Sequence, residues 1–288
     1  MFKVVTKRFL NEAKTICLFE IEAPLVAKHA QAGQFVIFRL DEQGERTPVS
    51  VAGYDREKGT VTVMVQAAGR TTKMLHTVEE GDYITDFVGP LGKATEMEGL
   101  KKVCVVGGGV GCAIAYPIAK EMHARGIDVT FIAGFRSADI VILKDELKAV
   151  SDKLIMCTDD GTYGEKGFTT QYLKQEIDAN IAENRPQFDR VIAIGPDIMM
   201  KFLADVTRPY GIKTIISLDP IMVDGTGMCG GCRVIVGGET KFACVDGPDF
   251  DAHEVDFDSL IKRAAFYKDE QDEAAKHICN MTGGKRNG

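Results

Sequence analysis

The sequence predicts an antiparallel β-barrel, then an α/β domain with a parallel sheet, then a small cysteine loop with a hairpin. Three observations carry this. Residues 3–98 consist of short β-type runs with one helical piece. From about residue 100, apolar strand-length runs alternate with helix-length segments, as in a parallel sheet covered on both faces. Near the end, Asp224, Cys229 and Cys232 share a glycine-rich stretch, and Cys244 follows a hairpin-like run. The expected units are 1–98, 99–220, 221–250 and a helical tail over 251–288.

In the barrel the expected strands are 3–10, 15–22, 34–40, 49–54, 60–66 and 83–88. Each is rich in Val, Ile, Phe or Thr and bounded by turn residues. Six strands without intervening helices favour a closed barrel, which removes exposed sheet edges. A short helix is expected over 71–78. The α/β unit should hold five parallel strands at 102–106, 128–133, 153–158, 190–194 and 213–218. Helices are expected at 112–125, 143–150, 168–183 and 197–210. Residues 233–236 and 240–245 read as a hairpin, with Cys244 on its second strand. A charged helix is expected from 256 to 279.

Composition excludes several classes. Net charge is −7, from 42 acids against 35 bases, which argues against a nucleic-acid partner. No apolar run reaches the length of a transmembrane helix, and the start MFKVVTKRFL lacks an apolar signal region. A cytoplasmic protein without membrane attachment is expected. Eight cysteines in such a chain point to metal or buried thiols more than to disulfides. Cys17 and Cys104 sit in apolar runs and read as core. Cys112 opens a helix, Cys157 ends a strand and Cys279 lies in the polar tail.

Several stretches suit anionic ligands. In Arg46-Thr47-Pro48-Val49-Ser50, a guanidinium and a hydroxyl flank a strand entry; taken alone, this is equally a charged loop. Gly69, Thr71 and Thr72 form a helix start with hydroxyls, either a phosphate site or an ordinary cap. Gly108, Gly109, Val110 and Gly111 follow the first α/β strand, and glycines there let backbone approach a pyrophosphate. The full Gly-x-Gly-x-x-Gly spacing is absent, so a plain tight turn is the rival reading. Asp160, and then Gly195, Pro196 and Met199, lie at two further strand ends, where ligands of parallel sheets bind. Arg136 follows the second strand and could meet a 2′-phosphate or adenine. Asp139 would oppose a phosphate, which favours NAD while leaving NADP open.

The cysteine stretch reads Asp224-x4-Cys229-x2-Cys232-x11-Cys244. Plant-type [2Fe–2S] loops read Cys-x4-Cys-x2-Cys with a distant fourth Cys. The gaps match, and Asp224 stands at the first ligand position. Soft thiolates suit iron, and glycines let amides point at the cluster sulfurs. A zinc knuckle and a thioredoxin-like dithiol are rivals. Against the dithiol, Gly-Gly separates the thiols and a strand, not a helix, follows.

In this order these pieces resemble the ferredoxin–NADP reductase superfamily, and within it the family of dihydroorotate dehydrogenase electron-transfer subunits, over roughly residues 2–250. The resemblance implies FAD contacts at Arg46, Pro48, Val49, Ser50, Gly69, Thr71 and Thr72. It implies NAD(H) contacts at Gly108, Gly109, Val110, Gly111, Arg136, Asp160, Gly195, Pro196 and Met199. The chain departs from the family in lacking an aromatic residue between Arg46 and Ser50, and in Ile194, where many members carry Cys. An Asp in place of one cluster Cys is similar to the branch of NADH-dependent reduced ferredoxin:NADP oxidoreductases, also described as sulfide dehydrogenases. That branch implies cluster ligands Asp224, Cys229, Cys232 and Cys244. It also implies a larger flavin and [4Fe–4S] partner subunit, with ferredoxin reached through the complex, and electron bifurcation among NADH, NADP and ferredoxin. Hydride would pass from NADH to FAD and leave as single electrons. No acid–base residue is expected to be catalytic. The rival readings are a dihydroorotate dehydrogenase subunit and a non-enzymatic iron–sulfur sensor or scaffold.

Overall fold

The computed structural model describes residues 1–270 and Glu273. The barrel comprises β1 (Phe2–Phe9), β2 (Ile16–Glu22), α1 (Pro24–His29), β3 (Phe35–Arg39), β4 (Thr47–Asp55), β5 (Thr60–Gln66), α2 (Arg70–Leu75), β6 (Tyr83–Ile84) and β7 (Asp86–Leu91). Its sheet runs β6-β1-β2-β5-β4-β3-β7, seven strands where six were expected. The extra strand comes from one segment bent at Thr85. Its first half pairs with β1 and its second half with β3, so a single run of chain occupies both ends of the sheet. The Thr85 amide, 3.0 Å from the Arg39 carbonyl, holds the bend. The barrel is thereby nearly closed. Alternation fills it: Cys17, Phe19 and Ile21 of β2 and Val61, Val63 and Val65 of β5 all point inward. Helix α1 was not expected. Its signal is Pro24 in the first turn, but six residues are too few to show a helical period.

The second unit contains β8 (Lys102–Gly108), α3 (Gly111–Ala124), β9 (Asp128–Phe135), α4 (Lys144–Ala149), β10 (Lys153–Thr158), β11 (Glu165–Lys166), α5 (Thr169–Ala182), β12 (Arg190–Ile194), α6 (Asp197–Thr207) and β13 (Thr214–Ser217). It is followed by β14 (Arg233–Val236), β15 (Glu239–Phe242), β16 (Asp249–Asp251) and α7 (Phe257–Ala264). The sheet order is β11-β10-β9-β8-β12-β13-β16. The five expected strands form its parallel centre. Two edge strands add to the expected five: β11 is parallel, whereas β16 runs antiparallel to β13. Both are too short to show a sequence period. Val103 and Val105 of β8 face one helical layer, and Cys104 and Val106 face the other. This explains why β8 reads as an unbroken apolar run.

β14 and β15 form the hairpin. Cys244 is not on its second strand, as expected, but in the turn after β15. The Asp246 carboxylate accepts the Phe242 amide at 2.7 Å, and the Asp246 amide donates to the Phe242 carbonyl at 2.8 Å, which ends the ladder there. The chain then returns as β16, where Asp249 accepts the Thr95 hydroxyl at 2.6 Å and so ties the barrel exit to the sheet. Helix α7 starts at Asp256, whose side chain accepts the Ser259 amide. The expected unbroken helix to 279 is interrupted by a turn at 265–267, after which 268–270 are helical again, and its further course, including Cys279, lies outside the described residues. Among the described residues, no helix is long and apolar enough to cross a membrane.

Candidate functional site

A cleft of about 1350 Å³ lies between the barrel and the parallel sheet. Pro48, Val49 and Ser50 of β4 form part of its barrel wall. Gly108, Gly109, Val110, Gly111, Arg136, Gly195, Pro196 and Met199 belong to its other wall, at the carboxyl ends of the strands.

The two glycine turns on that wall press against each other. A Cβ on Gly108 would lie 2.4 Å from Met199 Sδ, and one on Gly111 would lie 2.2 Å from the Ile194 carbonyl oxygen. A Cβ on Gly195 would meet Met199 Cε at 2.5 Å. The glycines after β8 and the Gly195-Pro196 turn after β12 are therefore one packing unit. Its product is a smooth backbone floor in front of the α3 N-terminus, the geometry that accepts a pyrophosphate. Arg136 is exposed at the rim. Asp139 is held by the Ser137 hydroxyl at 2.5 Å.

Other expected residues lie outside the cleft wall. Asp160 accepts the Thr162 amide at 3.0 Å and the Thr162 hydroxyl at 2.7 Å, and these bonds hold its carboxyl below the ordinary range. Its neighbour Asp159 lines the cleft instead. Arg46 donates to the carbonyls of Val223 (2.7 Å) and Asp224 (3.3 Å), tying the barrel to the cysteine loop. Gly69 and Thr72 cap α2, where the Thr72 hydroxyl accepts the Gly69 amide at 3.0 Å. Thr71 bonds the Glu45 carboxylate beside a smaller pocket of about 380 Å³.

The sequence reading missed Asp219, Gln66 and the α7 residues Leu260 and Arg263, all on the cleft wall. Asp219 is open through the cleft but walled by protein on its other sides. Burial first, then the nearby Asp197, pushes its carboxyl up to about 6. The strand-end rule applied to β13 would have found it.

In the cysteine loop, Cys232 Sγ and Cys244 Sγ are 3.2 Å apart and buried, whereas Cys229 is exposed. Amides point at the sulfurs: Gly231 N to Cys229 at 3.4 Å and Cys244 N to Cys232 at 3.5 Å. The Gly231 amide and then the Asp224 amide hold the Cys229 thiol below its ordinary range. Burial and then Cys232 push Cys244 up to about 12. The Asp224 Oδ2 atom accepts the Thr226 amide and hydroxyl at 2.8 Å each and the Met228 amide at 3.0 Å. A lone zinc ion needs four donors around one centre. Among the described residues, no three His, Cys or acidic side chains converge in that way. One close thiol pair, Cys232 and Cys244, with amides aimed at the sulfurs of Cys229 and Cys232, fits an iron–sulfur cluster.

Barrel, sheet and cysteine loop around one cleft define an oxidoreductase subunit of the ferredoxin–NADP reductase type. Residues 219–256 match the iron-sulfur cluster binding domain of dihydroorotate dehydrogenase B. The chain is 47% identical over 259 residues to a dihydroorotate dehydrogenase B (NAD(+)) electron transfer subunit homolog of Thermotoga maritima, covering 90% of this chain and 89% of that one. It is 48% identical to an uncharacterised protein of Clostridium beijerinckii, covering 96% and 94% of the two chains. A solved structure of NADH-dependent reduced ferredoxin-NADP oxidoreductase, described for flavin-based electron bifurcation, superposes with a TM-score of 0.88 at 45% identity, over 96% of this chain and 97% of that one. The chain belongs to the family of dihydroorotate dehydrogenase B electron-transfer subunits, whose members serve a larger partner subunit.

Proposed function

We propose that this chain is the small subunit of an electron-bifurcating NADH/NADP/ferredoxin transhydrogenase, taking electrons from NADH and delivering them to a larger flavin and [4Fe–4S] subunit. The observation that carries this reading is Asp224 at the first ligand position of an otherwise three-cysteine loop. The likeness to the solved bifurcating oxidoreductase supports it.

When bound, FAD and the [2Fe–2S] cluster convert the two-electron chemistry of NADH into one-electron delivery. The chain's own residues bind and orient. Gly108, Gly109, Val110 and Gly111 offer backbone to the nucleotide pyrophosphate. Gly195, Pro196 and Met199 support that floor, while Arg136 serves the adenosine end, with Asp159 rather than Asp160 on the wall beside it. Pro48, Val49 and Ser50 face the flavin from the barrel, and Gly69, Thr71 and Thr72 take its phosphates. Arg46 retains guanidinium donors beyond the two that hold Val223 and Asp224. Asp224, Cys229, Cys232 and Cys244 hold the cluster. Val223 and Met228 beside Cys229 are 53% and 86% exposed, which supports electron exit to a docked partner there.

The second reading, a subunit serving dihydroorotate oxidation, is favoured by the likeness to dihydroorotate dehydrogenase B electron transfer subunits. Anaerobic co-purification decides between them. NADP- and ferredoxin-linked NADH oxidation by the isolated complex is expected; a pyrimidine-oxidising partner would reverse the choice. In Asp224→Ala, iron retention should fall and the cluster spectrum change. An unaltered spectrum would remove Asp224 from the ligand set.

A further inference from the structure

Gly231 stands at a boundary. It lies between Cys229 and Cys232 in the cysteine loop, yet it also lines the large cleft. Its amide points at Cys229 Sγ, 3.4 Å away. Its carbonyl accepts Nη2 of Arg263 at 3.1 Å, from the last turn of α7. Arg263 itself lines the cleft, where the cations are Arg136 and Arg263 and the acids are Asp159, Asp197 and Asp219. Among the described residues, Arg263 has no ion pair within 4.0 Å (the neighbouring Lys262 likewise). A guanidinium has five N–H donors, and the Gly231 carbonyl uses one.

We propose that Arg263 is a positioning residue shared by cleft and loop: it fixes the Gly231 peptide beside Cys229 and offers its remaining donors to an anionic dinucleotide in the cleft. The inference rests on the reading of the cleft as a nucleotide site. Its consequence is electrostatic. A cation and an amide directed at cluster sulfur both favour the reduced, more negative cluster. A pyrophosphate that takes the remaining donors of Arg263 offsets that charge beside Cys229. Nucleotide binding therefore lowers the cluster midpoint potential, which favours passing the electron onward.

The test uses the cofactor-loaded protein and ADP-ribose, which carries the pyrophosphate without a redox-active ring. Binding is measured by calorimetry, and the cluster potential by EPR-monitored titration with and without ADP-ribose. In wild type the potential is expected to fall on binding. Arg263→Gln should weaken ADP-ribose roughly tenfold, the loss of one charge-assisted contact, and abolish the shift. Arg263→Lys should recover most of the affinity. Lys262→Gln removes the same charge one residue away and should change neither quantity. A melting curve shows whether the Gln variant is folded; if it is not, the Lys variant and the wild-type shift still decide. A shift that persists in Arg263→Gln, equal shifts in both Gln variants, or no shift in wild type overturns the proposal. If wild type fails to bind both ADP-ribose and NADH, the nucleotide reading of the cleft is what has failed.

Discussion

The nucleotide turn after β8 and the cysteine loop after β13 are both rich in glycine, for different reasons. In the nucleotide turn, distant neighbours demand two of the glycines, since Met199 leaves no room beside Gly108 and the Ile194 carbonyl leaves none beside Gly111, while Gly109 is set by its φ of +57°. In the cysteine loop the backbone itself demands them, since Gly225, Gly227 and Gly230 have φ of +84°, +87° and +67°. The first region is shaped mainly by tertiary packing and the second mainly by local winding, although a Cβ on Gly225 would also meet Ile37 of the barrel at 2.6 Å. Each should therefore fail separately.

The largest expected effect is in the loop. Cys232→Ser replaces a buried soft donor 3.2 Å from Cys244 with a hard hydroxyl. Iron content and the cluster absorption should be lost, while ADP-ribose binding survives. Gly111→Ala should do the reverse. Overpacking against the Ile194 carbonyl is expected to destabilise by about 3 kcal/mol and to weaken nucleotide binding. Iron retained per folded molecule should stay at the wild-type level; a parallel loss of iron would show that the two regions are one cooperative unit.

The smallest effect concerns the seam that joins the regions. Asp249 is half-buried on β16 and accepts the Thr95 hydroxyl, and its buried Oδ1 atom has no hydrogen-bond partner among the described residues. Burial pushes its carboxyl up to about 6, against the pull of Thr95, Ser217 and Arg190. A folded-state value above the unfolded one means the folded protein holds the proton more tightly. This contribution to stability is complete below about pH 4 and is lost as pH rises through 6. Asp249→Asn should therefore melt progressively higher than wild type as pH rises from 4 to 7, by roughly 2–3 kcal/mol at the upper end. A difference that is constant across that range would show that Asp249 does not titrate there.

Much of the molecule was legible in the sequence. The five parallel strands stood out because both faces are buried, so each reads as an apolar run. The cysteine loop stood out because ligand chemistry constrains spacing along the chain. β11 and β16 were not legible, because two or three residues show no period. The split at Thr85 was hidden because a strand that serves two sheet edges has the composition of one strand. Cys244 appeared to lie on a strand because the turn depends on one carboxylate, Asp246.

What the sequence alone determined is the order of units, the cofactor-type motifs and the four residues of the cysteine loop. Each depends on neighbours in the chain, through side-chain period, turn residues or ligand spacing. Only the tertiary structure decided which strand-end residues share the cleft. It replaced Asp160 with Asp159 on the wall, added Asp219, and used Arg46 to clasp Val223 and Asp224. It also brought Arg263 against Gly231, 32 residues away in the chain. Such contacts arise from the packing of whole elements, which no local pattern of residues encodes.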